Sequence, residues 1–354
     1  MRMNVRQLCF AVATIGLLQS CIKDAPQNPE ADIETFSVDK ESLTANVFIE
    51  QSGGSIRLYL TDEAFKKGIK PEITVSAGAR VTPASGDSLK FDVTGKRTYT
   101  VTSASGANTK VYTVQVVNID SWKFDFENWK ESQNYGFFHP IEADGSEIWS
   151  SGNLGVRLTG VTNKADFPLI PSTDAYFGKT SAELRTRAGN DFSASMDIHL
   201  FAGSLFLGNF DLFAALENPL KATQFGQPYK EIPTTFTGYY KYQPGPVFQD
   251  KDGKPVAGKL DQCSMYAVLY SGKDRLDATN ILTSDRVIAT AILQDGTAKA
   301  DWTRFEVPFT FRRTASRNEP MMMAIVLSSS KEGDHYLGAP DSRLLVDNLE
   351  IIHE

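Results

Sequence analysis

Cysteine is scarce, with three in 354 residues. Cys9 lies in an apolar leader and Cys21 at its end, which leaves Cys263 alone in the body of the chain, so no intramolecular disulfide is available to staple it. Cohesion has to come from burial of apolar surface. Several catalytic signatures are missing as well. No Gly-x-Gly occurs anywhere, no Gly-x-Ser-x-Gly elbow, and no complete Gly-x-x-x-x-Gly-Lys-Ser/Thr loop, which excludes the common dinucleotide, serine-hydrolase and phosphate-binding motifs. The four histidines, His139, His199, His335 and His353, have no ligand spacing with one another or with Cys263, so zinc has no support. Positive charge is in deficit: 36 Lys and Arg face 43 Asp and Glu, a net charge of -7. An acidic chain repels phosphate backbones, and nucleic-acid binding is excluded as a role. The longest apolar run, residues 8–18, is shorter than the roughly 20 residues that a membrane-spanning helix needs.

That short run has another use. Arg2 and Arg6 precede it and Leu18-Gln19-Ser20-Cys21 closes it, the layout of a lipoprotein signal peptide over residues 1–20. Cys21 is then the lipidated N-terminus of a 334-residue mature chain with net charge -9, since Arg2 and Arg6 leave with the signal. Residues 21–32, with Pro26 and Pro29 among polar side chains, cannot bury apolar area and are expected to form a flexible tether. Ile22-Lys23-Asp24 resembles the lysine-plus-acid signal that sends Bacteroidetes lipoproteins to the cell surface, although only one acid follows the lysine. The resemblance implies an outer-membrane, lipid-anchored protein facing the exterior.

The rest of the chain reads as all-β. Segments 33–38, 55–60, 72–75, 98–101 and 111–116 alternate apolar and polar residues at period two. Turn signals separate them, at Gly53-Gly54, at residues 83–87 and at residues 105–108. Short strands at this density predict a small immunoglobulin-like sandwich over residues 33–118. A Val75-Ser76-Ala77-Gly78-Ala79 segment before the Pro83-Ala84-Ser85-Gly86 turn, with a closing Tyr-Thr-Val hairpin, resembles the bacterial immunoglobulin-like modules of Bacteroidetes lipoproteins, which act mostly as spacers.

From Asn118 the pattern changes to longer, aromatic-rich segments with larger loops. Strands are predicted near 182–187, 236–242, 263–270, 286–293, 302–311, 321–328 and 343–351, and a larger two-sheet jelly roll over residues 121–354 accommodates them. Phe124-Asp125-Phe126-Glu127-Asn128-Trp129, the strand at 302–309 and Val346-Asp347-Asn348-Leu349 resemble jelly rolls of carbohydrate-binding modules. More closely, Ile148-Trp149-Ser150-Ser151-Gly152-Asn153, residues 202–208, Gly238 to Gly245 and residues 328–334 resemble the putative carbohydrate metabolism domain of Bacteroidetes lipoproteins. The resemblance implies a polysaccharide or oligosaccharide partner, with protein partners drawn from a glycan-uptake system.

Sugar recognition needs flat aromatic rings for the apolar C–H faces of pyranoses and fixed polar groups for their hydroxyls. Trp149, set among polar loop residues, is the first candidate, with Asn153 beside it. Tyr240 and Tyr242 share one face of a strand with Phe236, while Tyr239 and Lys241 share the other; either face is a possible platform, and the alternative for Phe236, Tyr240 and Tyr242 is packing in the sandwich core. Trp122 and Trp302 read as structural. In many carbohydrate-binding jelly rolls an acid near the first strand and an aspartate on the last hold a structural Ca2+, and by that resemblance Glu127 and Asp347 are the metal candidates; the alternative for Asp347 is capping a strand end or pairing with a basic side chain. Asp250-Lys251-Asp252-Gly253 superficially resembles the start of a calcium loop, but its sixth position is Pro255 in place of glycine and its twelfth is Asp261, and it reads as a hairpin turn. Catalysis needs only two opposed carboxylates, and Glu147, Asp334 and Asp341 are the acids to test. The expectation is a non-catalytic glycan-binding surface lipoprotein. A glycoside hydrolase or lyase and an adhesion protein of the same architecture are the alternatives.

Overall fold

The computed structural model describes residues 27–51, 53–119, 121–132 and 134–354. Cys21, the signal segment and the first half of the expected tether lie outside them. The chain is all-β with a few short helices, and no helix among the described residues is long and apolar enough to cross a membrane.

The first group of strands is β1 (Ile33–Ser37), β2 (Leu43–Glu50), β3 (Ser55–Leu60), β4 (Glu72–Val75), β5 (Arg80–Thr82), β6 (Lys96–Thr102) and β7 (Thr109–Val116). Five of them form a sheet in the order β2-β3-β7-β6-β5, with β3 and β7 parallel, and β1 pairs with β4 across from it. Alternation decides the faces: Tyr99, Val101, Tyr112 and Val114 point inward and meet Ile33, Phe36 and Ile73 of the small sheet. The Tyr112 hydroxyl is buried at their junction, where it donates to Gln51 Oε1 at 2.6 Å and accepts from the Ile33 amide at 3.1 Å.

The second group builds a two-sheet sandwich. One sheet runs β9 (Trp149–Ser150), β12 (Ser204–Phe210), β18 (Met321–Ser328), β14 (Ser264–Ser271), β15 (Val287–Ile292) and β17 (Thr310–Phe311) in that spatial order, with two short edge segments added. Its partner runs β10 (Leu169–Ser172), β11 (Ser181–Arg185), β19 (Arg343–His353), β13 (Pro233–Gln243) and β16 (Lys299–Pro308), with β8 (Lys123–Phe124) attached to β19. The inner rows interdigitate: Ala182 and Leu184 of β11, Leu344 and Val346 of β19, and Phe236, Tyr240 and Tyr242 of β13 pack with Phe206, Met265 and Leu327 in one apolar cluster.

Strand β18 is buried on both faces, which explains its near-continuous run of methionine, alanine and branched residues. The first group of strands helps to cover that sheet. Ala45 and Tyr59 belong to the same apolar cluster as the sandwich interior. Polar ties surround them: Arg57 donates to Asn209 Oδ1 at 2.7 Å, Asn46 to Asp274 Oδ1 at 2.6 Å, and the Arg275 guanidinium lies 4.8 Å from the Tyr59 ring centre. The immunoglobulin-like module is docked against the jelly roll. The outer face of the six-stranded sheet lies on the opposite side.

Candidate functional site

Several expected ligand-facing side chains turn out to be interior. Trp149 is 2% exposed because β9, only two residues long, pairs with Leu207 and Phe206 and turns the indole inward. Its ring packs edge-on against Phe124 at 5.0 Å and tilted against Phe126 at 5.4 Å, and its Nε1 donates to Glu142 Oε1 at 3.1 Å. A buried indole with its N–H satisfied is a stable arrangement, so Trp149 is a core residue and not a stacking platform. Tyr240 (2% exposed) and Tyr242 (1%) are core residues for the same reason, their hydroxyls donating to the carbonyls of Asp295 and Ser329. Burial pushes the Tyr240 hydroxyl up to about 12. Asn153 is fully buried at the start of a short helix, where its amide group exchanges hydrogen bonds with the Leu169 backbone at 2.8 and 3.0 Å. It staples two segments and faces no ligand.

The calcium pair has a different occupant. Asp347 Oδ2 accepts from the backbone amides of Tyr176 (2.8 Å) and Phe177 (2.9 Å), and Oδ1 accepts from the Asn348 amide. Glu127 accepts from the amides of Lys179 and Thr180, and Gly178, with φ +72, lies so close that a side chain there would collide with the Glu127 carboxylate. The two carboxylates bind one loop, residues 174–180, by its N–H groups. Amide hydrogens aimed at the oxygens are the opposite of what a cation requires, so the residues do not fit calcium. No group of three or more His, Cys, Asp or Glu side chains among the described residues could hold a metal. Burial raises the Asp347 carboxyl against the pull of its three amides, and Glu127 adds to the rise.

What that loop carries is the more informative finding. It lays Tyr176 against Tyr239 of β13 with ring centres 3.5 Å apart and planes 12° from parallel, and Trp302 of β16 lies 6.2 Å from Tyr176. Tyr176 is 46% exposed, while Tyr239 and Trp302 are half-buried. Asp174 ties the group together: its carboxylate accepts from Lys241 Nζ at 2.9 and 3.0 Å and from Trp302 Nε1 at 3.1 Å. Burial favours the neutral form of Asp174, but the Lys241 ammonium and the Trp302 indole outweigh it and hold the carboxyl below the usual range. Beside this group a cleft of ≈ 310 Å³ opens between Lys241, Lys299 and Arg343. Tyr239 and Lys241 are the strand face opposite Tyr240 and Tyr242, an alternative visible in the alternation of β13. Trp302, expected to be structural, lies on the solvent side. The signal was present in Arg304 and Glu306 at i+2 and i+4, which mark its face as polar.

The three candidate acids do not converge into an opposed pair. Asp334 and Asp341 are exposed, and Glu147 is tucked into the module junction, with Arg57 at 3.7 Å, Lys130 at 2.5 Å and His139 at 3.4 Å. Burial opposes its ionisation, yet His139, Arg57 and Lys130 together hold Glu147 well below the usual carboxylate range. Nearby Glu142 moves the other way: burial pushes it up to about 7, the Trp149 indole opposes this, and Asp125 and Asp144 reinforce it. The Asp250–Gly253 segment is a turn, with Asp250 Oδ1 accepting from the amides of Asp252 and Lys254.

Fold and surface together describe a jelly roll with an aromatic outer face and a docked immunoglobulin-like module, an architecture of carbohydrate-associated proteins. Residues 125–352 match the family described as "putative carbohydrate metabolism domain", and the chain belongs to it. Residues 33–116 match the N-terminal domain of surface glycan-binding proteins. The chain is 35% identical to a structure from Bacteroides thetaiotaomicron VPI-5482 described as a putative glycoside hydrolase, covering 94% of this chain and 99% of that one with a TM-score of 0.84. A second, from Bacteroides vulgatus ATCC 8482 and described in the same words, is 31% identical over 66% of this chain and 98% of that one, with a TM-score of 0.60. No curated protein matches the chain significantly.

Proposed function

We propose that this protein is a lipid-anchored, outer-membrane surface protein that binds glycan on the outer face of its six-stranded sheet and does not cleave it. The observation that carries the reading is the Tyr176, Tyr239 and Trp302 cluster, aromatic rings accessible to solvent and flanked by Lys241, Asp174 and Arg343. Exposed aromatic faces beside fixed hydrogen-bonding groups are what pyranose recognition requires. Attachment through Cys21, and a place beside the proteins of a glycan-uptake system, follow from the leader and from the surface glycan-binding character of the N-terminal match.

The hydrolase reading has one observation in its favour, that burial pushes Glu142 up to about 7 while its neighbours hold Glu147 low. Two carboxyl groups with divergent pKa values are an acid–base signature. Against it, Glu147 is spent on Arg57, Lys130 and His139 and Glu142 on the Trp149 indole, which leaves neither of the two free to activate water. Affinity electrophoresis through gels containing polysaccharides tests the choice. Wild type should be retarded by a subset of glycans, Tyr239→Ala and Trp302→Ala should migrate freely while folding normally, and no reducing ends should appear on incubation. Retardation unaffected by either substitution, or release of sugar abolished by Glu142→Gln, would overturn the proposal.

A further inference from the structure

On an acidic chain, the cleft beside the aromatic cluster carries surplus positive charge, and its source is one carboxylate shared by two guanidiniums. Glu183, buried on β11, accepts from Arg185 Nη2 through Oε1 at 2.7 Å and from Arg343 Nη2 through Oε2 at 2.6 Å. Burial raises the Glu183 carboxyl, but Arg343 and then Arg185 more than compensate and hold it ionised. The other cations are matched one to one: Lys241 by Asp174, and Lys299 by Asp295 at 2.8 Å. Counting Arg185, which shares Glu183 but does not itself line the cleft, four cations and three carboxylates leave one unit of positive charge on the arginine pair at the cleft's edge. Arg343 lines the ≈ 310 Å³ cleft, and its Nη1 has no acceptor among the described residues. With Nη2 held by Glu183 and Nε buried without a partner, Nη1 is the donor left to give a charged hydrogen bond to a ligand oxygen.

We infer that the cleft takes an anionic sugar, a pyranose bearing a carboxylate as in a uronic acid, with the carboxylate on Arg343 and the apolar ring face toward the Tyr176, Tyr239 and Trp302 cluster. This rests on the outer face being the glycan platform and adds the class of glycan. The net charge of -7 does not oppose it at close range, because ionic strength screens the rest of the protein beyond about 8 Å while the arginine is in contact. A sulfate ester offers oxygens to the same donor, so the commitment to a carboxylate is decided by the sulfated arm of the test.

The test uses the whole mature chain and pairs of polymers that differ only in charge: polygalacturonate, alginate and hyaluronate, each against its methyl-esterified form, with chondroitin sulfate and dextran sulfate as the sulfated arm. At least one uronate polymer should be retained and its ester not, with retention falling as salt is raised. Arg343→Gln should weaken that retention about tenfold, the scale of one charged hydrogen bond. The fold should survive, because Glu183 keeps Arg185. Arg343→Lys restores the charge without the fork and should recover part of the loss; if Arg343→Gln unfolds, this variant carries the test alone through the acid-to-ester ratio. Equal retention of acid and ester, lost on Tyr239→Ala, would overturn the inference and leave the platform standing. Retention of sulfated polymers alone would overturn the choice of carboxylate. Retention independent of Tyr239 would remove both the inference and the platform beneath it.

Discussion

The backbone amide of Tyr176 donates to Asp347 Oδ2 at 2.8 Å, so the last strand of the sheet sets the position of an aromatic ring that belongs to a loop 171 residues earlier in the sequence. Asp347→Ala orphans three amides and should cost about 1–3 kcal/mol in stability. It should also weaken glycan retention, because the loop that presents Tyr176 is released. A variant that loses neither thermal stability nor retention would show that the loop is held by other means.

Chelation should leave the protein unchanged. With the Glu127 and Asp347 oxygens directed at backbone N–H groups, the melting temperature is expected to be the same in calcium and in excess EDTA. A rise on adding calcium would restore the metal site.

The interior aromatics are expected to behave as packing residues. Trp149→Ala and Tyr242→Ala should each destabilise by about 3–5 kcal/mol, as large buried aromatics do when truncated. Urea denaturation reads this directly, and loss of glycan retention without loss of stability would return these side chains to the binding surface.

Glu142 gives a pH dependence with a defined sign. Unfolded, it titrates near the usual glutamate value of about 4.3, and folded, near 7. Within that window the native chain holds a proton that the unfolded chain has lost, so this group's contribution falls as pH rises toward 7 and is level above it. Glu142→Gln keeps an acceptor for the Trp149 indole and removes the penalty, which should stabilise the protein above pH 7 by on the order of 2–3 kcal/mol and flatten the curve between pH 5 and 7. A melting profile parallel to wild type across that range would refute the shift.

Cys21→Ala should leave the protein unprocessed or soluble in the periplasm, since stable anchoring takes more than one acyl chain. Membrane fractionation identical to that of wild type would reject the lipid anchor.

Most of the architecture could be read from periodicity. The predicted segments at 236–242, 263–270 and 321–328 are strands in the structure: the first two alternate, because one face of the sheet is buried more fully than the other, and the third reads as a continuous apolar run, because both of its faces are covered. The site was half legible. Tyr239 and Lys241 were separable from Tyr240 and Tyr242 as two faces, but which face is inside depends on the sheet stacked against it, which no local pattern encodes. Trp149 misled because its surroundings are polar in sequence while its strand partner is hydrophobic in space. Tyr176, Asp174 and Glu183 were illegible for a related reason. Their roles come from pairings with residues 63 to 171 positions away or, for Glu183, from two arginines that converge only when β11 and β19 are aligned.

Because Ala45 and Tyr59 complete the apolar interior of the jelly roll, the two parts cannot swing apart without wetting that interior. From the first strand onward the two parts therefore keep one orientation to each other. Under the proposed reading, a polymer bound on the outer face is held at one angle to the first strand, so tension along it reaches that strand through a lever of constant length.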